Sequence, residues 1–369
     1  MGECFNNIYE GKKVFLTGHT GFKGGWLSLF LKKLGAEVLG YSLEPNTEPS
    51  FFRICEIEKE IKSVIGDIRD LDYLSQVMNN FNPDIIFHLA AQPLVRISYK
   101  EPKMTYETNV IGTLNVYEAA RKCKSVKSIV TITTDKCYEN KEWSYGYRES
   151  DPMGGYDPYS SSKGCVELLT ASYRNSFFND LGVKVATARA GNVIGGGDWA
   201  EDRLIPDFVR ATAEGKLLLI RNPFATRPWQ FVLEPLTGYL WLGALLLEGK
   251  SEYACGWNFG PNDTDILSVK ELLDLSISNW GKGNYEIDKS VQPHEANLLK
   301  LDISNAKSKL KWRPVYDVET AVSKTISWYE EFYRNYFEVT SIDMKQLTIK
   351  QIEEYISVAK HKKILWGIK

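Results

Sequence analysis

Tyr159 and Lys163 stand four residues apart, which in a helix sets a phenol and an ammonium on one face. A nearby ammonium favours phenolate, moving a tyrosine pKa from about 10 toward neutrality and making a base for an alcohol. The same spacing recurs at Tyr9/Lys13, Tyr99/Lys103 and Tyr285/Lys289, so spacing alone selects none of them. Position selects Tyr159: Pro158 helps to start a long helix there, with a strand pattern before it and another after it. The preceding strand ends Thr131-Ile132-Thr133-Thr134-Asp135-Lys136, placing a hydroxyl, a carboxyl and an amine at one sheet edge. Thr134 can hydrogen-bond a substrate hydroxyl beside Tyr159. Asp135 and Lys136 form an acid/base pair, or else a capped, salt-bridged loop.

A second constellation is Thr17-Gly18-His19-Thr20-Gly21-Phe22-Lys23-Gly24-Gly25, between a strand at Val14 to Leu16 and a helix at Trp26 to Leu34. Gly18 permits the tight turn, Gly21 the close approach of backbone to a pyrophosphate, and Gly24 the packing of helix on strand. Thr20, Phe22 and Lys23 share this cradle. The spacing is G-x-x-G-x-x-G, and its place after the first strand of a βα series sets it above an ordinary turn. The second strand ends Gly40-Tyr41-Ser42-Leu43, with Glu44 only beyond it, so the choice between NAD and NADP stays open; Arg53 or Arg69 could meet a 2′-phosphate. Asp67 and Ile68 follow the third strand, where the carboxylate can accept from an adenine amino group or cap its loop. Leu89 and Ala90 end the fourth strand and let backbone approach a cofactor, whereas His88 reads as a hydrogen-bonded core histidine.

The elements that position these residues are legible as short β-branched runs: Val14 to Leu16, Val38 to Leu43, Ile61 to Ile65, Ile85 to Leu89, Ile129 to Thr134 and Val183 to Ala188. Helical patterns at Gly25 to Leu34, Leu71 to Asn80, Met104 to Lys122 and Tyr159 to Asp180 separate most of them. Such alternation predicts an α/β fold, a Rossmann-type doubly wound parallel sheet whose ligand crevice lies beyond the carboxyl ends of its strands. A dinucleotide-binding domain over 1–190 is expected, then a smaller substrate-binding region over 191–338 with strands near Leu217 to Ile220, Phe231 to Leu233 and Trp257 to Phe259. A helical tail is expected over 339–369, with Ile349, Ile352, Tyr355 and Ile356 near helical spacing. The 45 Lys and Arg against 47 Asp and Glu leave no basic footprint for nucleic acid or an anionic membrane. The apolar stretch Leu236 to Leu247 is too short to span a bilayer. Six scattered cysteines and four scattered histidines suggest reduced thiols and no metal site, and an N-terminus without an apolar block points to the cytoplasm.

Over roughly Lys12 to Tyr336 the chain resembles the extended short-chain dehydrogenase/reductases, and within them the nucleotide-sugar 4,6-dehydratases. The resemblance rests on Gly18, Gly21 and Gly24, on Asn109-Val110-Ile111-Gly112-Thr113, on Thr134-Asp135, and on Tyr159 with Lys163. The run Gly18 to Trp26, the stretch Gly40-Tyr41-Ser42-Leu43-Glu44-Pro45 and Thr134-Asp135-Lys136 resemble the CDP-glucose branch. There Lys136 stands where dTDP-glucose dehydratases have glutamate. The resemblance implies bound NAD, with Asn109 among its ligands, and CDP-glucose as substrate. It implies that Tyr159 takes the 4-hydroxyl proton as hydride leaves C4. Lys136 then abstracts the C5 proton, Asp135 assists departure of the 6-hydroxyl, and hydride returns to C6. It also places Asn192 on the substrate diphosphate, with Arg203, Arg221 and Arg227 closing over the nucleotide. A homodimer paired through the Met104 to Lys122 and Tyr159 to Asp180 helices, or a tetramer made of two such dimers, is implied, as is supply of deoxysugars for a bacterial lipopolysaccharide O-antigen. The rival readings are a nucleotide-sugar C4 epimerase, which lacks the elimination that Asp135 and Lys136 serve, and a dinucleotide sensor without turnover.

Overall fold

The computed structural model describes residues 4–288, 298–338 and 342–368. The β-branched runs form strands β1 (Lys13–Thr17), β2 (Glu37–Ser42), β3 (Lys62–Ile65), β4 (Ile85–His88), β5 (Ser128–Ile132) and β6 (Lys184–Arg189), and Gly256–Asn258 adds β7. They make one parallel sheet in the order 3-2-1-4-5-6-7. The order reverses between β1 and β4, which places a crevice at their carboxyl ends. β7 departs from expectation: Trp257 belongs to the sheet edge, with Gly256 opposite Thr187 and Asn258 opposite Arg189.

Side chains alternate between the two faces of this sheet. Val14, Leu16, Ile85, Phe87 and Val130 join one apolar cluster, while Phe15, Ile86 and Ile129 join the other. Burial on both sides explains why these strands read as unbroken apolar runs. Helices α1 (Phe22–Lys33), α2 (Leu71–Phe81), α3 (Gly112–Lys122) and α4 (Pro158–Tyr173) follow their strands. The expected Met104 to Lys122 helix comes in three parts, Pro102–Tyr106, a π turn at Glu107–Ile111, and α3. Another π turn, Arg174–Phe178, ends the helix expected to run to Asp180.

Beyond β6 the chain builds α5 (Leu204–Ala213) and then α6 (Leu233–Leu247). The expected strand at Phe231 to Leu233 stops at Phe231, because Gln230–Phe231 pairs with Val193–Ile194 and Leu233 already opens α6. α6 carries the long apolar stretch and packs it on β5 and β6. Among the described residues, no helix is long and apolar enough to cross a membrane.

Helices α7 (Val318–Glu338) and α8 (Met344–His361) follow, then a single helical turn at Leu365–Ile368. The expected boundary at Val339 lies outside the described residues. α8 buries Ile352, Tyr355 and Ile356 at the helical spacing read from sequence. Its Tyr355 hydroxyl donates to Glu234 Oε2 at 2.6 Å, and Trp328 Nε1 of α7 donates to Thr348 at 2.9 Å. The tail is thereby part of the core.

Candidate active site

Asp157 starts α4, its carboxylate accepting from the Ser160 amide at 2.9 Å and the Ser160 hydroxyl at 2.6 Å, with Pro158 as the first helical residue. This cap fixes the helix phase that brings Tyr159, Lys163 and Glu167, all buried, to one face. Opposite stands the end of β5. The Thr133 amide donates to Ala188 O at 2.9 Å, and Thr134 caps a single turn at Asp135–Cys137. The Thr134 hydroxyl lies close enough to the Tyr159 phenol to favour its ionised form. Lys163 Nζ donates to Ile132 O at 3.3 Å.

The electrostatics differ from the sequence expectation. Burial pushes the Tyr159 phenol up to about 12 against the opposing effect of Thr134. Burial likewise brings Lys163 down to about 8, with Glu167 opposing. Desolvation disfavours the charged form of each group here. Tyr159 is thus held as a neutral phenol beside a hydroxyl.

Thr134, Asp135, Lys136 and Tyr159 line a cleft of about 760 Å³, and Asn192, Arg203, Arg221 and Arg227 line it too. Asp135 is 1% exposed. Its Oδ1 accepts from the Thr134 hydroxyl at 2.9 Å, while Oδ2 is buried with no partner in the protein. Lys136 is half-buried beside it. Asn192 adopts φ 49° and leaves a buried amide oxygen unpartnered. Arg203 pairs with Asp198 at 2.7 Å and Arg221 with Asp202 at 2.6 Å. Arg227 donates to Thr226 O at 2.9 Å on a strand, Thr226–Pro228, that pairs antiparallel with Ile266–Ser268. One cleft thus carries guanidinium groups together with the phenol and its acid/base neighbours, and Arg203 acts electrostatically on Tyr159.

The glycine turn lies between β1 and α1. A Cβ on Gly18 (φ 81°) would come within 2.8 Å of Ala90 N, and one on Gly24 within 2.0 Å of Gly18 O. The Gly21 position is exposed, with no contact shorter than 3.5 Å. Thr17 Oγ1 accepts from the Leu89 and Ala90 amides at 3.1 Å, holding that backbone against the turn. The residues present fit a dinucleotide, since bare backbone and a helix N-terminus face open space. Thr20 is tied to Ser42 and Leu43 O, both at 2.9 Å, at the end of β2. Phe22 and Lys23 line the cleft, and burial lowers the Lys23 ammonium to about 8.

Asp67 and Asn109 both hold protein partners in this structure. Asp67 chelates its neighbour Arg69 at 2.6 and 2.9 Å, so its acceptors and that guanidinium are engaged with each other. Asn109 is buried and spends its amide on Gln92 N, Gln92 O and Ser162 Oγ, at 2.8, 3.1 and 2.8 Å, bracing the loop after β4 against α4. Ile68 is an apolar wedge against Gly112. His88 bridges Thr17 and Thr113 at 2.7 and 2.9 Å, and burial lowers it to about 3, as befits a neutral core histidine. Sequence reasoning missed Gly191, whose missing side chain makes room for Asp135, and the Glu167–Arg189 pair beneath Lys163. Only the adjacency of β5 and β6 in the sheet reveals either.

Residues 15–325 match the family described as GDP-mannose 4,6 dehydratase. The chain is 47% identical to a CDP-glucose 4,6-dehydratase of Salmonella typhimurium, covering 95% of this chain and 98% of that one. Among solved structures, a dTDP-glucose 4,6-dehydratase double mutant from Streptomyces venezuelae with NAD bound is 24% identical with a TM-score of 0.75, covering 88% of this chain and 98% of that one. A UDP-glucose 4-epimerase of Thermotoga maritima is 21% identical with a TM-score of 0.74, covering 87% and 99%. These structures share the fold, and a fold common to an epimerase and a dehydratase leaves the chemistry to be read from the site. By the extent of the family match and the 47% identity, the chain belongs to the GDP-mannose 4,6 dehydratase family.

Proposed function

We propose that this protein is an NAD-dependent lyase converting CDP-D-glucose to CDP-4-dehydro-6-deoxy-D-glucose and water. The observation that carries the reading is the Thr134-Asp135-Lys136 turn, which lines one cleft with Tyr159 and sets a buried carboxylate oxygen without a protein partner beside the phenol. A C4 epimerase has use for Tyr159 but none for that carboxyl group. NAD supplies a hydride acceptor for C4, a hydride donor for C6 and a positive charge that favours phenolate at Tyr159. The turn Gly18 to Gly24, the Leu89 and Ala90 backbone and Lys163 hold it.

The chain's own residues divide the remaining work. Thr134 orients the sugar 4-hydroxyl and Tyr159 removes its proton. Oxidation at C4 acidifies the C5 proton, which Lys136 takes, while Asp135 in its protonated form delivers a proton to the departing 6-hydroxyl. Segment 1–190 provides the dinucleotide wall and 191–338 the nucleotide-sugar wall, where Asn192, Arg203, Arg221 and Arg227 bind the diphosphate and exclude water. Exposed Ile111, Leu168, Phe177 and Leu181 near α3 and α4 form the seam of a homodimer, and six free cysteines suit a reducing, cytoplasmic compartment. Turnover with CDP-, dTDP- and GDP-glucose tests the base assignment. A kcat/KM for CDP-glucose at least about tenfold above the others is expected, since a site built to hydrogen-bond one base leaves polar groups unpaired with another. Equal values would overturn it.

A further inference from the structure

Glu167 lies one helical turn beyond Lys163 and is fully engaged inside the protein. Arg189 Nε donates to its Oε1 at 2.9 Å and the terminal guanidinium nitrogen to Oε2 at 2.8 Å. Thr187 of β6 donates to Oε2 at 2.7 Å, and the Thr133 hydroxyl donates to Oε1. Arg189 also donates to the Tyr138 hydroxyl, which donates to Asn258 of β7 at 2.7 Å. One buried ion pair thus joins α4, the end of β5, β6 and β7. Such a pair contributes little net stability, because desolvation of both charges offsets their attraction. Its placement points elsewhere: Thr133 immediately precedes Thr134 and Asp135, and Glu167 shares a helix face with Tyr159 and Lys163.

We infer that Glu167 and Arg189 are positioning residues, a clamp that holds the strand end bearing Thr134 and Asp135 in register with the helix face bearing Tyr159 and Lys163. The hydroxyl of Thr133 is the link between the clamp and the reacting groups. Glu167 is also the carboxylate among the titratable groups acting with Lys163, the others being Cys137 after β5, His88 at the end of β4 and Lys23 on α1. Loss of its charge therefore weakens the hold of Lys163 on its proton.

The test uses the NAD-loaded enzyme and three variants, and rests on the dehydratase reading only for its kinetic arm. Thr133→Val is expected to lower kcat by about 10- to 100-fold with KM changed less than about threefold, and Thr133→Ser to restore it, since an ångström of misplacement costs on that order. Glu167→Gln is expected to lower kcat and to move the alkaline limb of its pH profile to lower pH. Hydrogen exchange of the Thr134 to Cys137 amides reads the clamp without substrate and stands if the dehydratase reading fails. Exchange there should be at least about tenfold faster in Thr133→Val than in Thr133→Ser. Equal exchange in the two, equal kinetics in the two, or a Glu167→Gln profile that falls without shifting would overturn the inference.

Discussion

Gly191→Ala isolates the placement of Asp135. A methyl group at Gly191 would lie 1.9 Å from Oδ2 and 2.2 Å from Cγ of Asp135, whereas carbon contacts settle near about 3.5 Å. The carboxyl group must retreat by roughly 1.5 Å to restore that spacing. Asp135 is buried and short, and its Oδ1 is tied to the Thr134 hydroxyl at 2.9 Å. Its retreat therefore also disturbs the Thr134 hydroxyl beside Tyr159. Misplacement of this size costs about 10²-fold in rate, or roughly 2.7 kcal/mol of barrier. Gly191 is not among the positive-φ residues, so alanine adds no backbone strain, and overpacking should cost only about 1–3 kcal/mol of stability. Steady-state kinetics with CDP-glucose should show the loss in kcat. Once Asp135→Ala has made room, adding Gly191→Ala should cost nothing more, because the two changes act through one contact. A Gly191→Ala enzyme within about threefold of wild type, or losses that multiply in the double variant, would refute the reasoning.

Tyr159→Phe should remove C4 oxidation, a loss of about 10²- to 10⁴-fold for a general base; near-normal turnover would contradict its role. Asp135→Asn with Lys136→Met should spare C4 oxidation more than water loss, read as cofactor reduction in a single turnover without 6-deoxy product, and equal losses in both steps would undo the division of labour. Burial raises Glu234 from 4.5 to about 7, although Tyr355, Val315 and Tyr316 donate to its carboxylate. Since the folded value exceeds the unfolded one, the stabilisation is complete below about pH 4.5 and is lost as pH rises through about 7, a change on the order of 3 kcal/mol. Urea unfolding at pH 5 and pH 8 should show this slope in wild type and not in Glu234→Gln; parallel behaviour of the two would sink it.

The sheet was legible because both faces of an inner parallel strand are buried, so β1, β2, β4, β5 and β6 stand out as apolar runs, while β3 lies at the exposed edge. The short strand β7 was legible as a strand but not as the sheet edge, since Trp257 finds β6 only after α6 has folded back over the sheet. Tyr159 and Lys163 were legible by helical spacing, and their shared face is what the structure shows. Their charge state was not, because the sequence carries the ammonium but not the desolvation that outweighs it. Asn109 was legible from its motif position, whereas its bonds to Gln92 and Ser162, which brace the loop after β4, were not. Gly191 and Arg189 act across strands, and no local pattern encodes which strands are neighbours.

The most direct test of elimination with internal hydride return is mass spectrometry of the product formed from CDP-glucose deuterated at C4, with only trace NAD+ added. The account predicts loss of water with the deuterium carried to C6. An unchanged mass with a galactose epimer appearing, or product only in proportion to added cofactor, would contradict it.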